Sequence, residues 1–206
     1  MAISVVNLCN MVLSHLGVGR TISNLDTDNS EDADAINAFW DVALADHFRA
    51  FPWAFARRLV AAALVAEDPT SEWAFSYRYP SDCLLLRRIV LGDRIPSRGN
   101  RPPYWVGGDT QGRLIYSDVE DMEIEYTALL DDESKWPPDF AMSFTLLLAY
   151  YVAPRLMKGS QGEIQQAQRS ILQRYAMEVE RARANSANEE TPDQPGESEF
   201  ISERNS

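Results

Sequence analysis

The segment LDTDNSEDAD, Leu25 to Asp34, sets Asp26, Asp28 and Ser30 at alternate positions, the spacing with which a calcium loop offers its first oxygen ligands. A working loop also needs glycine at its sixth position and glutamate at its twelfth, where Glu31 and Asn37 stand. The stretch therefore reads as the capped, acid-rich start of a helix. GVGRTI offers Gly17 and Gly19 of a dinucleotide fingerprint, but it follows a helical pattern and has Ile22 where the third glycine belongs. His15 and His47 are the only histidines, and neither has a second ligand-type residue at helical spacing. Each is expected at a helix end or half-buried. No nucleophile elbow, phosphate loop or His-Glu-x-x-His is present. Paired carboxylates for glycan cleavage can be drawn from 31 acids, Glu31 and Glu163 among them, so no pair stands out. The expectation is a protein that is not an enzyme, with no catalytic residue, metal or cofactor.

A second candidate is DHFRAFPWAFARR, Asp46 to Arg58, with four aromatic rings and three arginines in thirteen residues. Single-stranded nucleic acid binders use this mixture to stack on bases and hold phosphates. Yet Phe48 and Phe51 continue the apolar stripe of the preceding helix, and Trp53 and Phe55 alternate as the chain turns into a strand. Rings committed to a core cannot stack on a ligand. Trp53, Phe55 and Trp136 are therefore expected to pack where helices meet strands, with Arg57 and Arg58 beside them, as a structural junction.

These residues need elements to position them. Val5, Leu8, Cys9, Val12, Leu13 and Leu16 repeat as one face of a helix that Ser4 can cap and Gly17 can stop. A second helix is expected from about Ser30 to Phe51, its stripe being Ile36, Phe39, Trp40, Ala43, Leu44 and Phe48, with Pro52 ending it. Strands are expected near Arg57 to Val65, Cys83 to Leu91, Tyr104 to Val106, Arg113 to Tyr116 and Met122 to Leu129, with a hairpin turn at Gly107 to Gly112. Trp73, Phe75, Tyr77 and Tyr79 also alternate at period two. Helical periodicity returns at Pro138, runs to about Lys158 with a kink or split at Pro154, and resumes from Glu163 to about Ala184. The predicted fold is α+β: a bundle of about four helices (residues 1–56 and 134–185) carrying an antiparallel β insert (57–133) and an extended acidic tail (186–206). The tail holds six acids and two prolines, with Phe200 and Ile201 its only strongly apolar residues, too little to fold alone.

The 206 residues carry a formal charge of −12, and 45% are hydrophobic. Such a chain builds a sizeable core and repels polyanions unless its charge is segregated. Cys9 and Cys83 are expected as buried, reduced thiols. The N-terminal residues lack a basic region and a small-residue cleavage site, which predicts no secretory signal. The uncharged run from Phe140 to Pro154 is too short to span a bilayer and reads as a buried helix, so no membrane association is expected.

Five segments, in order, resemble the head-to-tail adaptor family of short-tailed bacteriophages, also called tail tubular protein A: NLCNMVLSHLGVGRTISNLD, FPWAFARRLVAAAL, EWAFSYRYPSDCLLLRRIV, IEYTALLDDESKWPPDFAMSFTLLLAYYVAPRL, and a long polar last helix. They cover most of residues 6–185. The resemblance implies a homo-oligomeric ring of twelve subunits in the virion, made in the host cytoplasm and seated at the portal vertex. It would lie between the portal protein and the tail nozzle protein, with DNA passing through its channel without specific binding. An acidic channel wall fits that task, because a basic one would grip the duplex. Glu199, Phe200 and Ile201 in the tail are the expected portal anchors. Two rivals remain: a glycan-cleaving virion enzyme, which needs two converging carboxylates in a cleft, and a DNA-packaging factor, which needs a contiguous basic groove.

Overall fold

The computed structural model describes residues 3–90 and 101–189. Four helices and seven strands form an α+β subunit, as the hydrophobic periods predict. Helix α1, Val5–His15, starts where the Ser4 hydroxyl accepts from the Asn7 amide at 3.3 Å. It stops in a Schellman turn: Val18 N–H donates to Leu13 O at 3.0 Å and Gly17 N–H to Ser14 O at 3.1 Å, with Gly17 at φ 69°. Helix α2, Glu31–Arg49, begins at Ser30, whose hydroxyl accepts from Ala33 N–H. The calcium-like segment is thus a cap, tightened by Asn24, whose carbonyl accepts from the amides of Asp26 and Thr27.

Helix α3, Pro138–Leu156, is apolar on nearly every side and packs against α1, α2 and α4, Gln161–Asn188. A helix without a polar face belongs at the centre of a bundle. Pro154 does not split α3 but sits in its last turns. Proline withdraws the donor that Tyr150 O would have received, and Gln168 Nε2 of α4 supplies one from 3.2 Å. Helix α4 opens with a capping box between Ser160 and Glu163 and runs past the expected end near Ala184 to Asn188. Its last turn is held because the Ser186 hydroxyl accepts from Ala54 N–H at 2.8 Å, so the tail boundary shifts toward the C-terminus.

The strands are β1 Arg57–Ala61, β2 Ala63–Glu67, β3 Phe75–Arg78, β4 Cys83–Val90, β5 Trp105–Asp109, β6 Gly112–Ser117 and β7 Glu123–Ala128. They form a three-stranded sheet ordered β1-β7-β4 and a four-stranded sheet ordered β2-β3-β6-β5, antiparallel throughout. The expected single strand from Arg57 to Val65 is two strands in different sheets, separated at Ala62, whose amide donates to Met122 O at 2.9 Å. The alternation around Phe75 and Tyr77 proves to be a strand of its own, β3. Asp109 and Gly112 flank the two-residue β5–β6 turn inside the stretch expected to form it. One apolar core fills the helical bundle; a second, including Tyr77, Ile89, Ile115, Met122 and Ile124, lies within the sheets.

Candidate assembly surfaces and the junction that supports them

Chain geometry brings Trp53 to the end of α2 after Pro52 turns it away from the helix. The Trp53 indole is 1% exposed and donates to His47 O at 3.0 Å, joining the Ala50 N–H that donates to the same carbonyl at the helix end. The next such carbonyl, Ala50 O, accepts from Arg183 Nη2 of α4 at 2.9 Å. Around Trp53 stand Phe51, Phe55 and Phe140, with ring centroids 5.3, 6.4 and 5.1 Å away. Trp136 is buried too, 5.3 Å from Phe140, and its indole donates to Leu130 O at 2.9 Å. Trp53, Phe55 and Trp136 therefore share one aromatic cluster whose hub is Phe140.

On the sheet side of that cluster sits a carboxylate with several cationic neighbours. Buried Glu125 of β7 accepts from Arg57 Nη2 at 2.9 Å and from Arg88 Nη2 at 2.7 Å, and Arg87 Nη1 lies 3.9 Å away. Arg87 also donates to Thr127 Oγ1 and to Trp53 O, and Arg49 donates to Leu84 O, so the guanidinium groups bind α2 and its exit segment to β4 and β7. Arg58 pairs with Asp82 at 2.5 Å. The arginines of the Asp46–Arg58 segment thus face acids and carbonyls. Sequence spacing could not show this, since Glu125 and Leu84 lie far along the chain.

His47 stands in the last turn of α2, as a helix-end histidine should, but it is fully buried rather than half-buried. Its Nε2 lies 3.2 Å from Phe140 O and 3.0 Å from Ser143 Oγ, and its Nδ1 lies 3.3 Å from Tyr175 Oη. Burial holds its pKa down to about 3, so the ring is neutral. A Ser-His pair sealed in a core has no path for substrate, and its role is to close hydrogen bonds among three helices. His15, half-buried at the end of α1, lies 3.2 Å from Thr145 Oγ1, as a helix-end histidine should. Cys9 and Cys83 are buried free thiols; burial pushes Cys9 up to about 12.

A cleft of about 440 Å³ is lined by Ile3, Asn24, Asp26, Asp132 and Glu133 among others. Ser134 and then Lys135 hold the Asp132 carboxyl below its ordinary range, which opposes a general-acid role. No group of three or more metal-ligating side chains converges among the described residues. No helix among them is long and apolar enough to cross a membrane. Glu199, Phe200 and Ile201 lie outside the described residues.

Neither a family model nor a curated protein matches the chain. Among solved structures it matches the neck of an empty GTA particle computed with C6 symmetry, at 18% identity over 85% of this chain and 93% of that one. The TM-score is 0.30, too low to establish a common fold, and the likeness carries no argument here.

Two surface features remain once the junction is set aside. Glu31, Asp34 and Asp41 are exposed on α2, and Asp118, Glu120 and Asp121 between β6 and β7. Apolar side chains are exposed on sheet edges: Leu59 and Val60 on β1, Leu64 and Val65 on β2, and Trp105 on β5.

Proposed function

We propose that this chain is the subunit of a head-to-tail adaptor, a ring of twelve copies between a portal protein and a tail nozzle protein, through which DNA passes without being gripped. The observation that carries this reading is where the cations go. Arg20, Arg57, Arg58, Arg78, Arg87, Arg88, Lys135, Arg181 and Arg183 each lie against a carboxylate. In a chain of charge −12, the exposed Asp34 and Asp41 of α2 and Asp118, Glu120 and Asp121 of the β6–β7 connection take part in none of these ion pairs. Phosphate affinity depends on Lys and Arg that displace counterions, and paired arginines cannot do so. A wall of unpaired acids repels the duplex and lets it slide. The same pairing disfavours a DNA-packaging factor, and the lowered pKa of Asp132 argues against that residue as the general acid of glycan cleavage in the cleft it lines.

The resembling segments supply the elements of this subunit: α1, the α2 exit, β3 with β4, and α3 with α4. The tail supplies the portal contact, with Glu199, Phe200 and Ile201 as anchors. Burying Phe200 and Ile201 contributes about 1.5 to 3 kcal/mol each, reduced by the ordering of the chain around them. A ring of such tails gains through effective concentration. The test is the mass of the purified chain, alone and with the portal protein of the same particle, for the full chain and for a chain ending at Glu189. A ring on the portal that the shortened chain fails to hold is the expected result. A full-length monomer that ignores the portal overturns the adaptor reading.

A further inference from the structure

From Leu59 to Ala66 the chain reads LVAAALVA, eight apolar residues without a charge, a lysine or a proline. These residues form β1, its connection at Ala62 and most of β2, and both strands are sheet edges. Leu59 is 52% exposed, Leu64 51% and Val65 43%. Soluble proteins blunt such edges with lysines, prolines or inward charges, because unpaired backbone groups beside apolar side chains recruit another strand. Between Leu59 and Ala66 no lysine, proline or charge does so; Arg57 and Arg58 at the start of β1 and Glu67 at the end of β2 lie outside this run. A bulge between Leu64 and Ala66 leaves Val65 without a partner on β3.

The opposite edge of the four-stranded sheet is β5, where Trp105 is 54% exposed. The Trp105 ring folds inward over Gly107 toward Tyr116, whose centroid is 5.1 Å away. A Cβ on Gly107 would stand 2.8 Å from the indole, so the glycine makes room for this pose. Strand pairing aligns Leu64 with Tyr77, Tyr77 with Ile115, and Ile115 with Val106. One row of side chains is therefore apolar from edge to edge.

We infer that the β5 edge of one copy docks on the β2 edge of the next, joining copies head to tail through a continuous antiparallel sheet. Strand polarity selects this sheet. With four antiparallel strands, β2 and β5 run in opposite directions, so a neighbour in the same orientation presents β5 antiparallel to β2. The three-stranded sheet has edges running the same way and would join only in parallel. Charge agrees: Glu67, Asp68 and Glu72 lie at the far end of β2, and antiparallel approach brings them toward Arg101, which precedes β5. Two-fold pairing of β2 with β2 would close a dimer and leave Trp105 exposed. Head-to-tail contact covers both edges and generates a ring if its rotation closes. The inference rests on the self-assembly in the proposed function and assigns the surface that performs it.

Cysteine cross-linking tests it on the full chain, alone and with portal, with Cys9 and Cys83 buried in the subunit. Directly opposed strand residues stand within disulfide range. Under oxidation Leu64→Cys and Val106→Cys are each expected to stay unlinked alone, to link as a heterodimer when mixed, and to give a ladder when combined in one chain. Leu64→Cys with Gly108→Cys covers a register displaced by two and a Val106 variant that fails to fold. Self-linking of Leu64→Cys alone shows two-fold pairing and overturns the inference. An oligomer by mass that neither pair cross-links overturns it while leaving the ring intact, and a monomer with and without portal overturns both.

Discussion

Replacing Trp53 by alanine removes an indole that is 1% exposed, lies among Phe51, Phe55 and Phe140, and donates to His47 O. The cavity term for a buried aromatic is about 3 to 5 kcal/mol. Loss of the indole hydrogen bond to His47 O, which keeps its Ala50 N–H partner, adds about 0.5 to 1.5 kcal/mol. A total near 5 kcal/mol is a large share of the ~5 to 15 kcal/mol that holds a domain together. With a urea m-value of about 2 to 3 kcal/mol per molar, the midpoint falls by about 2 M. Trp53→Phe separates the two contributions: it keeps most of the ring contact and loses the donor, for about 1 to 2 kcal/mol. Urea unfolding followed by circular dichroism measures both variants, with the m-value checked for constancy. A Trp53→Ala midpoint within 0.3 M of the parent (roughly 1 kcal/mol at that slope) would refute the claim that this ring organises the junction.

His47 makes stability depend on pH in a definite direction. Its folded pKa of about 3 lies below the unfolded value, so the unfolded chain binds more protons, and stability falls as pH drops from about 6.5 toward 3. The slope from this residue approaches about 1.4 kcal/mol per pH unit, and urea midpoints of His47→Gln between pH 7 and 4.5 should be flatter than those of the parent. Glu125→Gln leaves Arg87 and Arg88 without the buried charge they face. Loss of one partner of a buried ion cluster costs about 3 to 5 kcal/mol, so thermal unfolding should come about 10 °C earlier.

Helices were legible because a 3.6-residue period needs only local sequence: the stripe from Val5 to Leu16 and the caps at Ser4 and Ser30 stand as the pattern implies. The division at Ala62 was not legible, because LVAAALVA has no turn residue, and a hydrogen bond to Met122 places the crossing between sheets. His47 looked half-buried because the groups that satisfy it, at Phe140, Ser143 and Tyr175, lie about a hundred residues on. The aromatic crowding around Trp53 signalled a junction, but the carboxylate that gathers its arginines could not be picked from the many acids. Edge exposure was hidden for a similar reason: an apolar run reads the same whether a sheet covers it or ends at it.

The end of α4 has a mechanical consequence. Ser186 and Arg183 fasten its last turns to Ala54 and Ala50, within the seven residues that lead from α2 to β1. A pull on the chain beyond Glu189 therefore does not reach the bundle alone. Those rungs hand the force to the segment carrying Trp53, and from Trp53 O through Arg87 to β4 and β7. Helices and sheets are loaded together, and detaching the end of the chain requires breaking the rungs before any one layer can peel away.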